Sequence, residues 1–274
     1  MHTSVLLQQA VDALDVRLGR KYIDSTYGEG GHSEEILKRG GQVLAFDWDE
    51  KNVTEKNLLL KKSSIQLIMA NYADIEKKAH EYNFYPVDGI LFDLGLSMNQ
   101  IAMSGRGFSY ERPDEPLDMR INSELNSTAA DIINSYTEES LYETFSKNAE
   151  EVGSRTIAHA IVSARRLKKI LTVSDLLKVI EHVSKNKQTR ARIFQALRIE
   201  VNHEFENIKR AIEGSKNILA NDGKIVTISF HQSEDRLIKQ IARKLNLHIL
   251  KPVKAKHGKK FERSATLRVF RKNI

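Results

Sequence analysis

The run Asp24-Ser25-Thr26-Tyr27-Gly28-Glu29-Gly30-Gly31-His32-Ser33 constrains the fold of this chain more than any other segment. It follows the strand-like Lys21-Tyr22-Ile23-Asp24 and leads into helical spacing from Ser33 to Arg39, which Gly40-Gly41 stops. Glycines at a strand-to-helix turn let the backbone come close to a ligand, and a helix start leaves N–H groups without intrahelical partners. A second strand, Val43-Leu44-Ala45-Phe46, ends at Asp47, nineteen positions beyond Gly28. An acid at that interval is placed to bind ribose hydroxyls. A plain tight turn and a helix-capping Asp47 would explain each feature singly. Their joint occurrence on adjacent strand ends predicts a nucleotide-like ligand.

Further strands are expected at Ile65–Met69 and Gly89–Phe92, the latter running into Asp93. Strands separated by helix-length segments predict βαβ units and a parallel sheet. Gly105, Gly107, Pro113 and Pro116 mark residues 105–120 as an extended loop, and from about Ala129 to Asn202 the spacing is helical. Leu141, Phe145, Ile157, Ile161 and Val162 are its expected core. Another helix should start at Thr172-Val173-Ser174-Asp175, with Leu176, Leu177 and Ile180 on its apolar side. Strand character returns at Lys224–Phe230 after an expected Asn221-Asp222-Gly223 turn. Leu247–Val253 and Thr266–Phe270 are candidates for a closing antiparallel pair. The expected architecture is α/β: a Rossmann-like sheet from residues 1–104 and 203–274, interrupted by an all-helical insertion, 105–202.

Two ligands use such a glycine loop. A dinucleotide site wants G-x-G-x-x-G, but here Ser33 stands at the third glycine position, and Glu29 would repel a pyrophosphate. A methyl-donor site takes an acid at the strand end with glycines four and six residues later, as Asp24, Gly28 and Gly30 provide. S-adenosylmethionine is the expected cofactor.

The net charge of +7 over 274 residues suits a polyanionic partner, although a merely basic protein would show the same value. Without cysteine the chain has no disulfide, thiolate zinc site or cysteine nucleophile, and no metal site is expected. No apolar run approaches the ~18 residues of a membrane span, and Met1–Leu7 lacks the pattern of a targeting peptide. A cytoplasmic protein without membrane contact is expected, as monomer or homodimer.

Several segments together resemble the bacterial family that methylates the exocyclic N4 of a cytidine in small-subunit ribosomal RNA. They are His2–Leu7, Gly28–Ser33, Asp88–Gly95, Arg106–Ser109, Pro116–Arg120, Phe194–Ile199, Asn202-His203-Glu204 and Arg263-Ser264-Ala265, in order along nearly the whole chain. The resemblance implies a class I methyltransferase domain with a helical, substrate-binding insertion. It implies cofactor contacts at Gly30, Gly31, His32, Asp47, Tyr72 near the adenine, Asp93 and Gln100. The chain departs from the family at Leu96-Ser97-Met98-Asn99, where two serines are usual, and at Phe230-His231-Gln232-Ser233-Glu234-Asp235-Arg236.

Methylating a cytosine amine needs acceptors aimed at its N–H groups, because the ground-state lone pair is conjugated with the ring. Asp118 is the first candidate and Asp235 the second, with His231 as general base. Asp118 could equally pair with Arg120, and Asp235 could equally lie in the first turn of a helix capped by Ser233. Candidate substrate contacts are Arg106, Phe108, Arg120, Arg165, Arg166 and Arg198. The basic runs Arg165–Lys169, Lys185–Arg192 and Lys251–Lys260 suit phosphates, with Phe108 and Tyr110 as a platform for a splayed base. Any single run could also be a solvated face. The rival readings are a methyltransferase for another amine, an RNA-binding ribosome-assembly factor with a vestigial pocket, and a nicotinamide-dependent oxidoreductase.

Overall fold

Among the described residues eight strands form one sheet, in the order Ile65–Met69, Gln42–Asp47, Lys21–Asp24, Val87–Asp93, Leu219–Ser229, Thr266–Arg271, His248–Ile249, with Val253–Lys254 also paired to Thr266–Arg271. The computed structural model describes residues 4–60, 64–97, 100–101, 104–254 and 264–272. Strands β1 (Lys21–Asp24), β2 (Gln42–Asp47), β3 (Ile65–Met69), β4 (Val87–Asp93) and β5 (Leu219–Ser229) are parallel. Strand β8 (Thr266–Arg271) runs antiparallel to β5, and the two-residue β6 (His248–Ile249) and β7 (Val253–Lys254) pair antiparallel with β8.

Alternation along the strands divides the core into two layers, because successive side chains leave opposite faces. Ile23, Leu44, Phe46, Ile90 and Phe92 pack on one face with α4 (Ile75–Glu81), α10 (Glu204–Ile218) and α11 (Gln232–Lys244). Tyr22, Val43, Ala45 and Leu91 pack on the other with α1 (Leu7–Leu14), α2 (Gly31–Lys38) and Val53 of α3 (Glu50–Leu59). Burial on both faces explains why these strands read as continuous apolar runs. No helix of the described residues is long and apolar enough to cross a membrane.

The expected turn at Asn221–Gly223 lies within β5. Val87 pairs with Leu219 and Gly89 with Lys224, so the residues between are accommodated as an irregularity of the ladder, with Asp222 at φ 63°. Turn-forming residues mark a bulge as readily as a chain reversal.

The chain divides into two compact units, residues 1–95 with 205–274, which contain the sheet, and residues 96–204. The second unit holds α5 (Ala129–Ser135), α6 (Glu138–Ala149), α7 (Ser154–Arg165), α8 (Val173–Val183) and α9 (Lys187–Val201). Leu141, Phe145, Ile157, Ile161, Leu176 and Ile180 form its core, with Val162 and Leu177 partly buried against it. Thr172 accepts from the Asp175 N–H and the Asp175 carboxylate accepts in return, a capping box at the expected helix start. Asn202 secures the long loop: its Oδ1 accepts from the Ile121 N–H at 2.7 Å, and its Nδ2 donates to Met119 O at 2.8 Å.

Candidate functional site

The five parallel strands end on one edge of the sheet, where Asp24, Asp47 and Asp93 close β1, β2 and β4. Strand order reverses at β1, which lies between β2 and β4, and ligands of open α/β sheets bind at such a switch point. The glycine loop crosses this edge. Gly28 and Gly30 have φ of 53° and 87°, in the left-handed region that disfavours side chains. A Cβ on Gly30 would also lie 2.5 Å from the Tyr27 hydroxyl, so this position requires glycine.

Asp47 is buried, and three donors hold it. Its Oδ2 accepts from the Gly28 N–H at 3.0 Å and the Asn52 amide at 2.6 Å, and its Oδ1 accepts from the Asp49 N–H at 2.9 Å. Burial still outweighs these bonds and pushes its carboxyl up to about 6. Asp47 thus organises the loop as well as lining the edge. Asn52 was not expected as part of the site. The signal available was an amide one turn into the helix after a ribose-type acid, too common a pattern to single out.

Asp24 is fully buried. It accepts from Ser33 Oγ at 2.7 Å and from the Thr26 N–H at 3.2 Å, and Thr26 Oγ in turn accepts from the Asp93 N–H at 2.7 Å. Ser33, at the third glycine position, therefore has a polar task that glycine could not perform. Glu29 weighs less than its charge suggested, because Lys56 Nζ lies 2.7 Å from its Oε2 and compensates it.

His32 is buried, with its ring held against the Val5 backbone, and burial drives it down to about 4, so it is neutral at physiological pH. Its Nδ1 lies 3.8 Å from Asp93 Oδ2. Ser25 Oγ, His32 Nε2 and Asp93 Oδ1 are buried without hydrogen-bond partners. Buried polar atoms in proteins are nearly always paired, so this group fits a polar ligand at the edge. Tyr72 follows β3 in a short 3-10 turn, half-buried and edge-on to Phe92 at 6.1 Å between centroids. Gln100 belongs to the second unit, where its Oε1 accepts from the Ser97 N–H at 2.9 Å.

The expected catalytic acids are both engaged. Asp118 binds Arg120 in a fork, Oδ1 to Nε at 2.8 Å and Oδ2 to Nη2 at 2.9 Å. Asp235 is bound in the same bidentate way by Arg268, with Lys239 Nζ at 3.2 Å. Although burial opposes ionisation, the bonds from Arg120 and from Arg268 with Lys239 hold both carboxyls below the usual carboxylate range. The cap of α11 is His231 rather than Ser233, which sits inside the helix. The Glu234 carboxylate accepts from the Phe230 and His231 N–H groups at 3.1 and 3.2 Å, and this fixes the start two residues earlier.

Most expected substrate arginines also serve the fold. Arg106 donates to Arg120 O and Ile121 O and lies over the Phe108 ring. Arg165 donates to Ile133 O at 2.6 Å, and Arg198 forks onto Glu204 at 2.7 and 2.8 Å. Phe108 and Tyr110 are half-buried against the helical core, Tyr110 edge-on to Phe194. In the first basic run Arg166, Lys168 and Lys169 are exposed, Lys168 beside Asp175. In the second, Arg190 pairs with Glu181 while Lys185 and Lys187 are exposed. Of the third run, residues 255–260 lie outside the described residues, as do His2, Thr3, Met98, Asn99 and Arg263 among the quoted motifs.

Known proteins are similar to this chain over most of its length. A relative from Cytophaga hutchinsonii is 40% identical over 252 residues, covering 90% of this chain and 84% of its own length. One from Dictyoglomus thermophilum is 40% identical over 263 residues, covering 93% and 88%, and one from Dictyoglomus turgidum 37% over 284, covering 98% and 96%. All three are named ribosomal RNA small subunit methyltransferase H. The model of the MraW methylase family matches residues 1–272. With that match over nearly its whole length, the chain belongs to the MraW methylase family.

Proposed function

We propose that this protein transfers a methyl group from S-adenosylmethionine to the exocyclic N4 of a cytidine in small-subunit ribosomal RNA. The observation that carries the cofactor reading is the unpartnered set at the edge, Ser25 Oγ, His32 Nε2 and Asp93 Oδ1, beside a glycine loop that Asp47 braces. The reaction is carried over from the relatives, whose name gives their substrate as ribosomal RNA of the small subunit.

S-adenosylmethionine, when bound, supplies an electrophilic methyl group on a sulfonium. Gly30 and Gly31 would admit it close to the backbone, Asp47 would bind its ribose, Tyr72 would lie by its adenine, and His32 and Asp93 would supply further polar contacts. His32 acts as a neutral polar group, not as a cation, because its burial excludes the charge. The amine that gains a methyl must lose a proton. Asp118 and Asp235, already bound to arginines, are weak bases, which leaves His231 as the preferred proton acceptor. The two aspartates remain candidate acceptors of N–H hydrogen bonds. With no cysteine in the chain, an adduct at the pyrimidine ring has no nucleophile of the usual kind, and amine transfer requires none.

Nucleoside mass spectrometry of ribosomal RNA from cells with and without the protein tests this reading. Loss of an N4-methylated cytidine supports it, and unchanged modification overturns it. Methyl incorporation into isolated RNA and into assembled subunits, run side by side, identifies the form of the substrate.

A further inference from the structure

We propose that Asp24, fully buried, and Asp93, largely buried with 22% of its side chain exposed, form an acid pair that holds one proton in the free protein and releases it when a cationic methyl donor binds. Asp24 is then a positioning residue that makes the edge select for charge. The proposal rests on reading this edge as the S-adenosylmethionine site.

The two carboxylates end neighbouring strands. Asp24 is paired with Leu91, so Asp93 lies two residues further along β4 on the same side of the pleat. Thr26 ties them together, its N–H on Asp24 Oδ1 and its Oγ accepting the Asp93 N–H. Their side chains are served unequally. Asp24 accepts two hydrogen bonds, from Ser33 Oγ and the Thr26 N–H, whereas Asp93 Oδ1 is buried with none.

Among the described residues no lysine or arginine pairs with either acid. The titratable groups around Asp93 are Asp24 on β1 and His32 at the start of α2, and His32 is neutral. Strand β5 places Thr227 and Ile228 beside the end of β4, neither of them charged. Two carboxylates at neighbouring strand ends, one fully and one largely buried and without a counter-cation among the described residues, cannot both ionise cheaply. The charge settles on Asp24, which has the donors, and the proton on Asp93. Burial, and then the Asp24 charge, push Asp93 up to about 8, while burial alone lifts Asp24 to about 6.

S-adenosylmethionine carries a sulfonium and an ammonium against one carboxylate. A cation brought to this edge favours the ionised pair, so the Asp93 proton passes to solvent. Nothing covalent is required. The neutral nucleoside 5′-methylthioadenosine keeps the adenosine and the thioether but brings no cation, and gives the pair no reason to ionise.

Calorimetric titration of the full chain in buffers of different ionisation enthalpy measures the proton directly. For S-adenosylmethionine at pH 7 the expected release is about 0.9 proton per ligand. Its affinity should rise by up to about tenfold per pH unit from pH 6 to 8 and then level off. For 5′-methylthioadenosine the release should be near zero and the affinity flat with pH. Asp24→Asn, which removes the repelling charge, should move the rise to lower pH and reduce the protons released at pH 7. Should that variant fold poorly, the wild-type titration decides alone. Donor binding with no buffer dependence overturns this proposal and leaves the methyltransferase reading standing. Absence of donor binding at every pH overturns both.

Discussion

Asn52 donates its side-chain amide to both Asp47 Oδ2, at 2.6 Å, and Gly28 O, at 2.8 Å, and so joins the end of β2 to the glycine loop through the first turn of α3. The acid on the second strand and the loop on the first are thereby one unit, and disturbing either alters the geometry offered to the cofactor.

Asp47→Ala removes the acceptor of three internal donors and the proposed ribose partner together. Affinity for S-adenosylmethionine should fall by roughly 1–3 kcal/mol, the scale for losing a buried hydrogen-bonding group. Asn52→Ala should give a smaller loss in the same direction, because the Gly28 and Asp49 N–H groups still hold Asp47. Isothermal titration of both variants checks the order, and an Asp47→Ala protein with wild-type affinity removes Asp47 from the ribose site.

Gly30→Ala combines a left-handed backbone with a Cβ 2.5 Å from the Tyr27 hydroxyl. A destabilisation of roughly 1–3 kcal/mol is expected, the usual cost of strain at one residue, together with weaker cofactor binding. Gly105→Ala serves as control: φ there is 70° but nothing lies within 4 Å of the added carbon, so only backbone strain remains. Comparison of the two denaturation midpoints separates crowding from conformation.

Asp118 and Arg120 form a two-bond ion pair about three-quarters buried on each side. Asp118→Asn should lower thermal stability by roughly 1–3 kcal/mol, the range of hydrogen bonds to charged groups. The folded-state pKa of Asp118 is depressed, so this stability is present above the usual carboxylate value and is lost as pH falls through the lowered one. If Asp118 also accepts from the target amine, single-turnover methylation by the folded variant should drop on the order of 10²–10³-fold. A rate per folded molecule near wild type would assign it to structure alone.

Asp93 and Asp47 have raised values, about 8 and about 6, and the sign reverses. The folded state binds these protons more tightly than the unfolded chain, so the free protein should be most stable in mild acid. It should lose stability as pH rises from about 4 to 8. Asp93→Asn should flatten the upper part of that curve. Melting curves between pH 5 and 8.5 on both proteins test it, and parallel curves would sink the assignment.

Arg165 and Arg166 are neighbours with different tasks. Arg165→Ala should lower stability, since its guanidinium holds Ile133 O, and should leave the salt dependence of RNA binding largely unchanged. Charge reversal at the exposed Arg166, Lys168 and Lys169 should weaken RNA binding and flatten its salt dependence, with cofactor affinity preserved. An unaltered salt slope returns that run to a solvated face.

The sequence by itself determined the parallel strands, the glycine turn, the acids that end β1, β2 and β4, and the capped helix at Thr172. These follow from local rules: burial on both faces makes continuous apolar runs, and a tight turn between strand and helix demands glycine. The resemblance carried by ordered motifs supplied the family. Tertiary structure alone decided how the polar side chains are used. Arginines at 106, 165 and 198 look alike in sequence, yet each finds a carbonyl or carboxylate brought near by folding. Glu29 is compensated by Lys56, twenty-seven positions away, and Asn221–Gly223 falls inside a strand because Leu219 and Lys224 on either side of it pair with β4. The physical reason is common to all of these. Propensity and periodicity act over a few residues, whereas the protonation of an acid or the partner of an arginine depends on which groups three-dimensional packing brings within about 4 Å.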